Sequence, residues 1–197
     1  MDFNTVTDFE NKIAEFFGSP YAVMTDSCTH SLELSLIYTK TKQITCPIRT
    51  YLSVAFLANK LNLGLKWNNE KWENYYYLTD RVIDAAVLWK KNSYIQNTLM
   101  CLSFQYQKHL SLGRGGVILC PDRKHWLDLK KMSYDGRLPN IPWREQNIST
   151  VGYHYYATPE LAQLGLDKLD EAIRTIPRQW NYTDWPDISK MNVFNNI

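Results

Sequence analysis

The sequence has no C-x-x-C pair, no H-x-x-x-H spacing, no internal repeat and no low-complexity segment. Its four cysteines, Cys28, Cys46, Cys101 and Cys120, are widely separated, and three stand on apolar, strand-like runs. That pattern excludes a disulfide framework and reads as reduced thiols of a cytoplasmic protein. Neither the cysteines nor the four histidines cluster with metal-ligand spacing, so no metal site is expected. No apolar run approaches the roughly 20 residues a membrane-spanning helix needs, and the opening "MDFNTVTDFENK" is polar and acidic rather than leader-like. The N-x-S/T sequons at Asn147 and Asn181 are then chance matches. An excess of one charge is missing too: Lys plus Arg number 22 and Asp plus Glu 20, for a net charge of +2. A nearly neutral chain has no strong pull toward nucleic acid or a membrane surface, and the pairs Lys90–Lys91 and Lys130–Lys131 read as solvated faces.

What is present is a regular alternation. "TDFENKIAEFFG" predicts an amphipathic helix, with Thr7 and Glu10 at capping-box spacing and Gly18 as its stop. "YAVMTDS" predicts a buried strand and "CTHSLELSLIYTK" a helix. "KQITCP" and "TYLSVAFLANKLNLG" repeat that unit, closed by Gly64. The stretch "LKWNNEKWENYYYLTD" has no assignable period. "RVIDAAVLW", "TLMCLSF" and "GGVILCP" are further strands, and "DRKHWLDLKKMSYDG" is a helix with Asp122 at its cap. "TPELAQLGLDKLDEAIRTI" is a helix with Leu161, Leu164, Leu169, Ala172, Ile173 and Ile176 on one side. The tail from Pro177 is extended or wraps a neighbour. Strands alternating with helices predict one α/β domain over residues 1–197, with a largely parallel sheet.

In such sheets ligands bind where strand ends meet helix N-termini. Three strand ends carry suggestive residues. Ser27, Cys28 and Thr29 stand where a strand yields to a helix; they form either an ordinary N-cap or a phosphate cradle. Asp84 follows an apolar run and precedes two alanines; it either caps a helix or holds a protonated ring nitrogen. Lys108 sits among aromatic and amide side chains just before Gly113, Gly115 and Gly116. It is either a solvent-facing cation or an amine whose pKa a dry pocket lowers, fit for covalent chemistry with a carbonyl. Ser103, five residues earlier, adds a hydroxyl. Two hydroxyl sites, a buried carboxylate and a strand-end lysine are together the parts of a pyridoxal phosphate site.

The ordered succession "FENKIAEFFGSPYAVMTDSCTHSLELSL", "CPIRTYLSVAFLANKLNLG", "VIDAA", "SFQYQKHLSLGRGGVIL" and "VGYHYYATPELAQLGLDKLDE" resembles the DegT/StrS family of pyridoxal-phosphate-dependent sugar aminotransferases, from about Phe9 to about Ile176. The resemblance implies a reduced fold-type-I transferase large domain and a cytoplasmic homodimer. It also implies transfer of an amino group from an amino acid, glutamate or glutamine, to a keto sugar, nucleotide-linked. By the same resemblance Lys108 forms the Schiff base, Asp84 pairs with the pyridinium nitrogen, and Cys28, Thr29 and Ser103 hold the phosphate. Tyr51 stacks on the cofactor, and His154 stands in the segment that reaches a neighbouring subunit's phosphate site. The alternative is a non-catalytic relative that binds cofactor or sugar without turnover.

Four positions depart from the family pattern: Val87 where a glutamine or histidine is usual, Arg114 in place of an acidic residue, and His154 and Tyr156 in place of asparagine and arginine. The chain is also short. A strand, a helix and a strand give way to the aromatic, asparagine-rich stretch, and the C-terminal small domain is expected to be absent. A reduced sheet with no lid is the resulting structural expectation.

Overall fold

A computed structural model describes residues 2–194; the last three residues of the tail lie outside the described ones. A five-stranded sheet of order β1-β7-β6-β5-β4 is built from β1 (Tyr21–Thr25), β4 (Tyr76–Tyr77), β5 (Val82–Asp84), β6 (Leu99–Ser103) and β7 (Gly116–Cys120). A parallel pair, β2 (Gln43–Pro47) with β3 (Gly64–Asn68), lies beside it, joined by the Thr45 N–H donating to the Leu78 carbonyl at 2.9 Å. Strand side chains alternate between two buried faces. Ala22, Met24, Met100, Leu102, Val117 and Leu119 face α1 (Asn4–Phe17) and α5 (Pro159–Arg174). Val23, Cys101, Ile118 and Cys120 face the side of α2 (Cys28–Tyr38), α3 (Leu52–Lys60) and α4 (Arg123–Ser133). Burial on both sides is why these strands read as unbroken apolar runs.

The α/β architecture agrees with the sequence reading, but the sheet is mixed rather than largely parallel. Only β5–β6 and β2–β3 pair in parallel, whereas β1–β7, β6–β7 and β4–β5 are antiparallel. The course of the connections is the cause, because a parallel return needs a crossover, usually through a helix. The chain between β6 and β7 has no helix and folds back as a hairpin, with Phe104 and Gly115 bonded across it. The turn after β4 is tighter still: the Leu78 N–H donates to Val82 O at 2.9 Å.

Local signals fared unevenly. Gly18 ends α1 at φ 73°, and Ser27, Asp122 and Thr158 each cap their helix with a side-chain oxygen. The Thr7–Glu10 capping box does not form. Helix α1 starts three residues earlier, the Asp2 carboxylate accepting from Asn4 N–H at 2.9 Å, and Glu10 turns inward. Gly64 opens β3 instead of closing α3; the left-handed position after that helix is Asn62, at φ 53°. In α5 the buried face is Ala162, Gly165, Leu169 and Ala172, while Leu164, Ile173 and Ile176 are exposed. Small residues win there because the Phe9 ring of α1 packs on Gly165, where a Cβ would lie 2.5 Å from Phe9 Cε2. Lys130, expected in solvent, is buried against Glu10.

Candidate functional site

The C-terminal ends of β5 and β6 and the N-termini of α2 and α3 converge on a cavity of about 250 Å³. Six residues singled out from the sequence line it: Cys28, Thr29, Tyr51, Asp84, Ser103 and Lys108. Val87 and Arg114 do as well. His154 does not. It is exposed, with Nδ1 3.0 Å from Asp135 Oδ2, outside this cavity.

One end of the cavity is shaped for an anion. Cys28 and Thr29 occupy the first positions of α2, so their N–H groups have no acceptor within the helix, and the helix dipole adds positive potential there. The start of α3 brings in Ser53, whose hydroxyl lies 2.8 Å from that of Thr29. Cys28 turns its thiol away, donating to Cys101 O at 3.7 Å, so it offers backbone rather than sulfur chemistry. Burial pushes that thiol well up, which keeps it protonated. Arg114 contributes a cation at the rim, held by Asp26 through Nε to the carbonyl at 3.1 Å and Nη2 to Oδ2 at 2.9 Å.

Gly116 makes this cradle possible. A Cβ there would lie 2.4 Å from Cys28 N and 2.5 Å from Ser27 C, so β7 can approach α2 only without a side chain. Gly116→Ala is expected to cost about 1–3 kcal/mol in urea denaturation. It should also weaken the cavity's affinity for phosphate-bearing ligands, because the strand must move off the helix N-terminus.

The opposite wall holds Asp84, 5% exposed. Its Oδ1 accepts the Ala86 N–H at 2.9 Å and its Oδ2 accepts the Tyr76 hydroxyl at 2.5 Å. Burial raises its pKa, while these two donors and the Lys108 charge hold it down. Lys108 sits in the β6–β7 hairpin, in a turn closed by its own N–H on Gln105 O at 2.8 Å. Gly113 and Gly115, at φ 80° and 130°, supply the backbone that brings the hairpin back to β7. Burial lowers the pKa of Lys108 and the nearby Arg178 charge adds to this, whereas Cys28 and Asp84 oppose it.

The site has a roof. Residues 178–194 form a strap that lies on their own chain. The Asn74 N–H donates to Trp180 O at 3.0 Å, Tyr182 N–H to Trp72 O at 3.1 Å and Ile188 N–H to Ile48 O at 2.8 Å. Arg49 Nη1 donates to Trp185 O at 2.9 Å. The strap sets Lys108 Nζ 5.2 Å from the Trp180 ring centroid and 5.9 Å from that of Trp185. The tail's own backbone pairs with the aromatic stretch at 72–75, and its tryptophans lie over Lys108.

Sequence reasoning missed Ser53, Asn74, Tyr76 and Trp185, all of which line the cavity. Ser53 could have been found, since a small hydroxyl residue in the first turn of a helix was the very signal used for Thr29. Asn74 and Trp185 lie in segments whose course depends on long-range pairing, and Tyr76 is set by the β4–β5 hairpin within the stretch that showed no period.

Among the described residues no group of three or more His, Cys, Asp or Glu side chains could hold a metal ion, and no helix is long and apolar enough to cross a membrane. A sequence model described as the DegT/DnrJ/EryC1/StrS aminotransferase family matches residues 1–65. A comparison with curated protein sequences returns no match. Among solved structures, AtS13 from Actinomadura melliaura superposes with a TM-score of 0.73 at 16% identity, covering 86% of this chain and 60% of that one. The sugar aminotransferase CalS13 from Micromonospora echinospora gives 0.70 at 13% identity, covering 86% and 61%. PseC from Helicobacter pylori, an aminotransferase involved in the biosynthesis of pseudoaminic acid, gives 0.67 at 16% identity, covering 86% and 58%. The chain therefore spans about three fifths of the length of these structures. Residues 1–65 are thus similar in sequence to the DegT/DnrJ/EryC1/StrS aminotransferase family, and 86% of the chain shares the fold of these solved structures.

Proposed function

We propose that this cavity binds pyridoxal 5'-phosphate and that the chain transfers an amino group from an amino acid, glutamate or glutamine, to a keto sugar, nucleotide-linked. The observation that carries the reading is the convergence of a half-buried lysine, a buried carboxylate and two helix N-termini on one cavity. The donor set fits the cofactor. The N–H groups of Cys28 and Thr29 with the hydroxyls of Thr29, Ser53 and Ser103 suit a phosphate dianion, and the space left by the missing Cβ of Gly116 is what lets them gather. Asp84 is a buried acceptor suited to a protonated ring nitrogen. Tyr51, 64% exposed at the start of α3, presents a ring to the same space.

When bound, pyridoxal phosphate supplies the electron sink that makes the substrate α-proton acidic. The chain supplies the rest. Lys108 Nζ would be the amine that holds the cofactor and the group that moves the proton at the substrate α-carbon. Its lowered pKa leaves more of the amine neutral near pH 7 than an ordinary lysine would have. Asp84 would keep the ring nitrogen protonated, and the strap tryptophans over Lys108 would limit water at its amine. A homodimer is part of this reading, with His154 in the segment proposed to meet a second copy; a monomer by light scattering at micromolar concentration contradicts it.

The test is spectroscopic. Purified protein mixed with pyridoxal phosphate should gain a band near the visible edge that borohydride abolishes, with the added mass on Lys108. Adding an amino acid donor should then convert the band to that of the pyridoxamine form. No band overturns the reading; a band that no donor converts leaves a cofactor-binding protein without turnover.

A further inference from the structure

The structure assigns Tyr76 as the positioning residue for Asp84, the head of a directed relay Thr50→Tyr76→Asp84 that holds the carboxylate in its charged form and aims it at the ring nitrogen. This assignment rests on the cofactor reading above and names a residue of the aromatic stretch that no sequence pattern singled out.

Tyr76 and Asp84 are register partners across the antiparallel β4–β5 pair, so their side chains stand on the same face of the sheet. Both are nearly inaccessible, Tyr76 at 3% and Asp84 at 5%. The phenol has one proton, and it goes to Asp84 Oδ2 at 2.5 Å. The hydroxyl of Thr50, itself 3% exposed, is hydrogen bonded to the same phenol oxygen and must therefore be the donor in that contact. Each link polarises the next. With Ala86 N–H on Oδ1, each carboxylate oxygen has one protein donor and keeps lone-pair capacity for a ligand.

The other groups facing Asp84 do not do this work. The thiols of Cys46 on β2, Cys101 on β6 and Cys28 on α2 are all pushed up by burial and stay neutral. Lys108 is the one opposing cation that acts on Asp84, and the proposed chemistry engages its amine. Tyr76 is then the lasting donor. Removing it makes the carboxylate more basic, so a proton shared with a ring nitrogen moves toward Asp84.

Two variants test this, Tyr76→Phe and Thr50→Val, each keeping the side-chain outline. On cofactor-free protein carrying 13C-labelled aspartate, with the Asp84 resonance assigned by its loss in Asp84→Asn, Tyr76→Phe should move the Asp84 titration midpoint up. Thr50→Val should move it the same way by less. On protein loaded with 15N-labelled pyridoxal phosphate, the ring-nitrogen resonance should shift toward the unprotonated position in Tyr76→Phe, and cofactor affinity should fall about tenfold. An unchanged midpoint and an unchanged nitrogen resonance in a folded Tyr76→Phe protein overturn the assignment. If that variant does not fold, an unchanged midpoint in Thr50→Val does so. Wild-type protein that takes up no cofactor refutes the cofactor reading instead, and the cofactor-free titration still decides the role of Tyr76.

Discussion

On the proposed function, Lys108→Ala is expected to abolish the borohydride-sensitive band and to lower transamination by a factor on the order of 10³, the scale of a lost proton-transfer group. Lys108→Arg should fail in the same way. It keeps the positive charge that acts on Asp84 but offers no nucleophilic amine, so it separates charge from covalent chemistry. The pH dependence carries a further sign. An amine reacts with an aldehyde only when neutral, and burial lowers the Lys108 pKa below the ordinary 10.5. The rate of cofactor uptake, followed by stopped-flow absorbance, should therefore rise with pH through a midpoint below that of a free lysine. Opening the roof with Trp180→Ala hydrates the ammonium and should move that midpoint back up. A uniform loss of uptake with no change of midpoint would mean that the tryptophan serves the fold and not the amine.

Much of this site was legible because its residues carry local chemical signatures. A hydroxyl N-cap after an apolar strand, an aspartate inside an apolar run and a lysine before clustered glycines each stand out without knowledge of the fold. The topology then brings them together, since all three follow strand ends on the same edge of one sheet. Tyr76, Asn74 and Trp185 were not legible for the opposite reason. Asn74 is bonded to the strap through Trp180 O, and Tyr76 is placed by cross-strand register with Asp84. Pairing of Asn74 with a segment roughly 100 residues away leaves no local period, and the two-residue strand that carries Tyr76 is too short to show one. The mixed sheet was missed on similar grounds: alternation of strands and helices predicts parallel strands, and only the length and course of each connection reveal a hairpin.

The glycines of the Lys108 hairpin divide their labour in a way composition alone does not show. Gly113 and Gly115 are conformational, each with positive φ. Gly116 is not; it is needed because Cys28 N occupies the place of its side chain. The same economy recurs at Gly165 under Phe9, which does not line the cavity. The cavity therefore depends on close backbone contact between β7 and α2. Charge at the rim depends on it too, because the Ser27–Gly115 bridge sets Arg114 beside Asp26.

Lys130→Met should be among the most destabilising single changes in the chain. Lys130 Nζ lies 2.6 Å from Glu10 Oε1, with side chains 7% and 1% exposed, and Met24 N–H donates to the same oxygen at 2.6 Å. Glu10 Oε2 has no protein partner, so the carboxylate depends on one oxygen for all its compensation. Removing the ammonium leaves a buried carboxyl with a single backbone donor, at a cost of about 3–5 kcal/mol. For a chain of this length that is a fall in Tm of roughly 10 °C. The pH dependence follows from the direction of the Glu10 shift. Burial already raises its pKa against the pull of Lys130, and without Lys130 it rises further. A carboxyl whose folded pKa lies above its unfolded value favours the fold below the unfolded pKa and loses that contribution as pH rises through the folded pKa. The deficit of Lys130→Met should thus shrink in acid and be complete at neutral pH. Glu10→Gln combined with Lys130→Met should recover most of the loss, because the amide still accepts the Met24 N–H and no buried charge remains. If the double variant is no more stable than the single one, the pair is held by packing rather than by charge.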